Sequence, residues 1–112
     1  MTTKRACLLL RALPDVTVKD HFGSDAFRAN GRIFATVWHD KNEVNLMVTP
    51  AQQEALLGRD GDGYSKVPNK WGDGGATTAH LSFLDEEDFV VGMQLAYATS
   101  AVKRTRARKP SR

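Results

Sequence analysis

An α+β domain, with helices packed on an antiparallel sheet in two layers, is the fold class this sequence predicts, and three observations predict it. Asn30-Gly31 lies between two runs of mixed apolar and polar residues, 25–29 and 32–39, and a dipeptide whose residues both tolerate φ > 0 is the strongest short-range hairpin signal. Thr49-Pro50-Ala51-Gln52 joins a capping threonine, a proline at the first helical position and a glutamine three residues after the cap, which together mark a helix start. Asp85 before Glu86-Glu87-Asp88 marks another, because anions suit the positive end of a helix dipole. Helices gathered on one face of the sheet is the economical packing.

In chain order, residues 2–13 read as a helix. Thr2 or Thr3 caps it, Ala6, Leu9, Leu10 and Leu13 share one face, and Pro14 ends it. A strand over 16–22 follows from Val16, Val18, Asp20 and Phe22 alternating with Thr17, Lys19 and His21, and Gly23-Ser24 turns the chain. A two-residue loop at Asn30-Gly31 sets the next register: Ala29 opposite Arg32, Arg28 opposite Ile33, Phe27 opposite Phe34 and Ala26 opposite Ala35. Phe27 and Phe34 then form a cross-strand aromatic pair worth ~0.2–1 kcal/mol over two alanines. Strand 32–39 is apolar on both sides, Ile33, Ala35 and Val37 one way and Phe34, Thr36 and Trp38 the other, which suits a central strand.

After a polar turn at 39–42, Val44, Leu46 and Val48 face inward, and Glu43, Asn45 and Met47 outward. The helix capped by Thr49 ends at Gly58. A polar loop at 59–63 leads to a short strand at 64–67. Pro68-Asn69 and Gly72-Asp73-Gly74-Gly75 bracket a turn region at Lys70-Trp71, and 76–83 is the last strand. The final helix presents Phe89, Met93, Ala96 and Tyr97 inward and finishes at Lys103-Arg104, the end that favours cations. The predicted order is α-β-β-β-β-α-β-β-α.

At 112 residues, 41% hydrophobic and 26% charged, the chain has the size and composition of one globular domain. No run approaches ~18 apolar residues, so no membrane span is predicted. The apolar run after Lys4-Arg5 is broken by Arg11 and lacks a cleavage site, so it does not read as a leader, and a lone cysteine, Cys7, fits a cytoplasmic protein. The net charge of +3 has an uneven source. Lys103, Arg104, Arg106, Arg108, Lys109 and Arg112 supply six positive charges with no acid nearby, which leaves the rest of the chain at −3. A domain over 1–102 and a basic disordered tail over 103–112 are predicted.

Local spacing offers neither a catalytic nor a metal pattern. A nucleophile needs a base in reach and a group orienting that base. Cys7 falls on a core-facing helix, and His21, His39 and His80 are strand residues whose sequence neighbours point the other way. No C-x-x-C or H-x₃-H pair exists for zinc. Asp60-Gly61-Asp62-Gly63 opens like a calcium loop, but the twelfth position from Asp60 is Trp71 and not glutamate. Gly72-Asp73-Gly74-Gly75 lacks the Lys-Ser/Thr of a phosphate loop. No enzyme activity, cofactor or metal is predicted. Nucleic acid is a better match: Lys19, His21, Arg28, Arg32, Lys41, Lys66 and Lys70 lie on strands or turn tips, and Trp71 adjoins Lys70. Protruding cations meet phosphates, and an aromatic stacks or wedges. The bland alternative, which the acidic body favours, is a solvated sheet face with Trp71 anchored in the core.

Leu13-Pro14-Asp15-Val16-Thr17, His21-Phe22-Gly23, the run from Phe27 through Asn30-Gly31 to Ala35, Asn45-Leu46-Met47-Val48-Thr49-Pro50, Lys70-Trp71-Gly72 and the acidic start of the last helix together resemble the MmcQ/YjbR family of small bacterial proteins. The likeness spans about residues 6–101 in short signatures, none with a catalytic meaning. It implies a type III secretion chaperone-like or CyaY-like (YjbR-like) fold and a non-enzymatic, double-wing DNA-binding role in which two hairpins reach the duplex. Mapped here, one wing is the Asn30-Gly31 hairpin with Arg28 and Arg32. The other is segment 64–76 with Lys66, Lys70 and Trp71, and Lys103, Arg104 and Arg106 add phosphate contacts from the tail. Two departures stand out: relatives often have a longer segment where this chain has Gly72-Asp73-Gly74-Gly75, and the body is acidic. A second expectation is a protein- or small-molecule-interaction module that uses an apolar face with Phe34, Trp38 and Met47, as a monomer or a weak homodimer.

Overall fold

The computed structural model describes residues 1–21 and 23–102. Along them run α1 (Thr3–Arg11), β1 (Thr17–His21), β2 (Ser24–Ala29), β3 (Arg32–Trp38), β4 (Glu43–Met47), α2 (Pro50–Arg59), β5 (Tyr64–Lys66), α3 (Lys70–Asp73), β6 (Ala76–His80), a 3₁₀ turn (Leu81–Phe83) and α4 (Glu86–Ser100). The helix starts lie where the sequence places them. Thr2 accepts from the Arg5 amide, Thr49 and Gln52 close a reciprocal capping box, and Asp85 accepts from the Asp88 amide. Each cap satisfies amides that have no partner inside the helix.

The six strands form one antiparallel sheet in the order β1-β2-β3-β4-β6-β5. At its β2–β3 hairpin Asn30 has φ 56° and Gly31 φ 80°, both left-handed, and Ala29 opposes Arg32 and Arg28 opposes Ile33 as predicted. The register then shifts. Phe27 pairs with Ala35 and Ala26 with Thr36, which leaves Phe34 as the extra residue of a β-bulge and removes the expected Phe27–Phe34 pair. Burial explains the outcome. The bulge lets Phe34 and Ala35 both turn toward the helices, and the Phe34 ring meets Tyr97 of α4 edge-on, centroids 5.7 Å apart.

Cross-strand pairing sorts the sheet into two faces. Phe27, Ala35, Val37, Val44, Leu46, Ala79 and Tyr64 point to the side where Leu10 of α1, Leu56 of α2 and Phe89, Met93 and Ala96 of α4 complete one buried cluster. Tyr64 is buried there, and its hydroxyl donates to the Asp88 carbonyl at 2.6 Å. On the other face Ala26, Thr36, Asn45, Thr78 and Ser65 form one row across β2–β5, and Trp38, Glu43 and His80 form the next.

Two local differences from the predicted elements have physical causes. The last strand stops at His80, not at residue 83, because the Leu81 amide donates to the Asn42 carbonyl and the Met1 ammonium donates to the Leu81 carbonyl. Around Lys70-Trp71 the chain forms the single-turn α3 instead of an open turn, with the Asn69 side chain accepting from the Trp71 amide at 2.8 Å. No helix of the described residues is long and apolar enough to cross a membrane.

Candidate functional site

At the Asn30-Gly31 end of the sheet the chain leaves a groove of about 710 Å³. Its walls are the start of β3 (Arg32, Ile33, Phe34), the stretch from Met47 to Pro50 that opens α2, Lys70 and Trp71 of α3, and Thr99 and Ser100 at the end of α4. A smaller hollow of about 390 Å³ adjoins it on the helix-free face and shares Ile33, Met47, Trp71 and Ala76 with it. Trp71, 71% exposed, stands at the boundary between the two. Its posture has a clear origin. Buried Gln53 donates to the Gly72 and Ala76 carbonyls at 3.0 Å each, and a Cβ on Gly72 would run into the Val67 carbonyl. The inner side of α3 is therefore pinned, and the indole is left outward.

The predicted nucleic-acid residues divide at this groove. Arg32, Lys70 and Trp71 line it. Arg32 also donates to the Thr99 carbonyl at 3.5 Å and the Val102 carbonyl at 2.5 Å, so its charge sits at the negative end of α4. Arg28 does not join Arg32 in a wing. It opposes Ile33 on the helix-free face, whereas Arg32 opposes Ala29 on the helix side, and the Arg28 guanidinium folds back onto the Gly31 carbonyl at 3.1 Å. Lys66 is paired with Asp73 at 2.9 Å. Trp71 is no core anchor. Lys103, Arg104 and Arg106 fall outside the described residues; Val102, which precedes them, rests on Arg32 at the rim.

The expected apolar face is also redistributed. Trp38 and Met47 lie on the helix-free side, and the Lys41 ammonium sits 5.3 Å from the centre of the Trp38 ring. Phe34, 1% exposed, belongs to the core and meets Met47 only at the groove, which Trp38 does not line, so the three do not form one surface.

Two clusters escaped sequence spacing because residues distant in sequence assemble them, one through strand pairing and one by packing α1 against the end of β2 and the turn after β3. The Ser65 hydroxyl shares a 2.7 Å hydrogen bond with His80 Nε2, and His80 Nδ1 approaches Glu43 at 3.4 Å across β5, β6 and β4. That is the order of nucleophile, base and orienting carboxylate, but neither groove reaches these residues, and they form a polar ladder on a sheet surface. At the far end of β3, His39 Nε2 donates to Asp25 at 2.8 Å, and the Cys7 thiol approaches the same Asp25 oxygen at 3.7 Å. Burial, reinforced by the Asp25 charge, pushes the Cys7 thiol up to about 11, so it is a poor nucleophile at neutral pH.

Comparison with known proteins adds a family and a fold. The YjbR family model matches residues 11–94. Among solved structures, the Deinococcus radiodurans protein DR2400, a DUF419 domain, superposes with a TM-score of 0.72 at 13% identity and covers 91% of this chain and 80% of its own. At that identity the likeness concerns the fold alone. No curated protein matches the sequence.

Proposed function

This chain belongs to the YjbR family, and on that premise we propose that it is a non-enzymatic nucleic-acid-binding protein that works through the Trp71 groove and not through paired wings. The observation that carries the reading is the meeting, in one hollow, of an exposed indole with Lys70 and Arg32, next to the residue from which the basic segment 103–112 continues. A space of about 710 Å³ is the size of a small-ligand site. It suits one or two unpaired bases rather than a duplex. A base stacked on an aromatic side chain contributes about 1–3 kcal/mol whatever its identity, so little sequence preference is expected. Lys70, Arg32 and the tail cations would meet the phosphates.

The net charge of −3 outside the tail makes binding depend on these local cations. If ~5 phosphates of a single strand are neutralised, the slope of log K against log salt is about −3.5. Fluorescence anisotropy with a labelled oligothymidine tests this at several salt concentrations, with a duplex of equal length as competitor. The expected result is binding at about 50 mM salt that weakens steeply and prefers the single strand. No binding at that salt, or a flat slope, overturns the proposal; a preference for duplex favours contact through paired wings instead.

A second reading is self-association through the helix-free face, favoured by Ile33 at 41% exposure beside the smaller hollow. Light scattering separates the two readings: this one requires a dimer that a Trp38→Ala substitution shifts to monomer.

A further inference from the structure

We propose that Cys7, Asp25 and His39 form a binding site for a tetrahedral divalent transition metal, zinc by the character of the donors, with water as the fourth ligand. The three come from α1, β2 and the turn after β3, and their ligand atoms all lie within 4.8 Å of one another. Tetrahedral zinc with Zn–S of about 2.3 Å and Zn–N or Zn–O of about 2.0–2.1 Å sets its ligands about 3.3–3.6 Å apart. Cys7 Sγ and Asp25 Oδ2, at 3.7 Å, need to close by only about 0.1–0.2 Å. His39 Nε2 and Asp25 Oδ2, at 2.8 Å, need to part by about half an ångström to let an ion between them.

The surroundings fit the same chemistry. His39 Nδ1 lies 2.8 Å from the Thr3 hydroxyl. The Thr3 hydroxyl can either donate to Nδ1 or accept from it. With metal on Nε2 the ring proton is on Nδ1, and Thr3 accepts from it, the outer-shell hydrogen bond that orients a metal-bound histidine. The side chain of Asp25 is 19% exposed and that of His39 42%, so an ion has a route in. One thiolate and one carboxylate balance a 2+ charge. Zinc takes the thiolate and not the thiol, so binding expels the Cys7 thiol proton to solvent. A sulfur, nitrogen and oxygen donor set excludes calcium and magnesium, which take oxygen.

The test is a Co²⁺ titration of the reduced full-length protein, followed by displacement with Zn²⁺. One Co²⁺ per chain is expected, with intense tetrahedral ligand-field bands and a thiolate-to-metal charge-transfer band, and Zn²⁺ added separately to the metal-free protein should release about one proton per chain in weak buffer. Cys7→Ser should remove the charge-transfer band. Thr3→Val, which touches no ligand atom of the metal, should weaken affinity about 10- to 100-fold while leaving the band in place. His80→Ala serves as the unchanged control. An absent or six-coordinate Co²⁺ spectrum overturns the site, and so does a spectrum indifferent to Cys7→Ser or an affinity indifferent to Thr3→Val.

Discussion

The helix-covered face of the sheet and the face turned away from the helices carry aromatic side chains for opposite purposes. On the first, Phe27, Phe34 and Tyr64 are at most 1% exposed, and each is held by the helices above it. At the edge of the second, Trp71 is 71% exposed, held outward by the pinned inner side of α3. The contrast teaches that ring size does not decide the role. Phe34 and Trp71 line the same groove, one as floor and one as wall. The bulge assigns Phe34 to the floor, and the Gln53 anchor assigns Trp71 to the wall.

Substitutions sharpen or break this contrast, and the largest effect belongs to the floor. Phe34→Ala should cost about 3–5 kcal/mol in urea unfolding. A cost under about 1 kcal/mol would place Phe34 on the open face, where simple alternation puts it. Next comes Gly92→Ala. In an exposed helix that change stabilises by about 1 kcal/mol. Here the new Cβ would lie 2.6 Å from the Tyr64 hydroxyl, which is fixed by its bond to Asp88, so a loss of about 1–3 kcal/mol is expected.

A smaller, pH-dependent effect comes from the head of α4. The Asp88 amide holds the Asp85 carboxyl below the usual carboxylate range, and the Arg5 guanidinium does the same for Glu86. Groups with a depressed native pKa stabilise above their unfolded values and lose that contribution as pH falls through the native ones. Unfolding free energy should therefore decline below about pH 4, and Asp85→Asn with Glu86→Gln should flatten that decline. The smallest change in stability belongs to the wall: Trp71→Ala should stay within about 0.5 kcal/mol of wild type.

Much of the fold was legible because its signals are local. Thr2, Thr49 and Asp85 cap the helices that follow them, and Asn30-Gly31 turns its hairpin with the first two residue pairs in register. The bulge was not legible, since what draws Phe34 off alternation is Tyr97, far along the chain. The opposed directions of Arg28 and Arg32 were implicit in that register: whatever faces Ala29 cannot share a side with whatever faces Ile33. The exposure of Trp71 depends on Gln53, 19 residues before Gly72, and no local pattern carries that information. The Cys7, Asp25 and His39 cluster joins residues 18 and 14 positions apart, so no ligand motif could announce it.

The measurement that bears most directly on the groove is oligothymidine affinity for wild type and Trp71→Ala, read beside their urea midpoints in the same buffer. The account predicts an affinity lowered about 10-fold or more with the midpoint unmoved. Equal affinity in two equally stable proteins would contradict it.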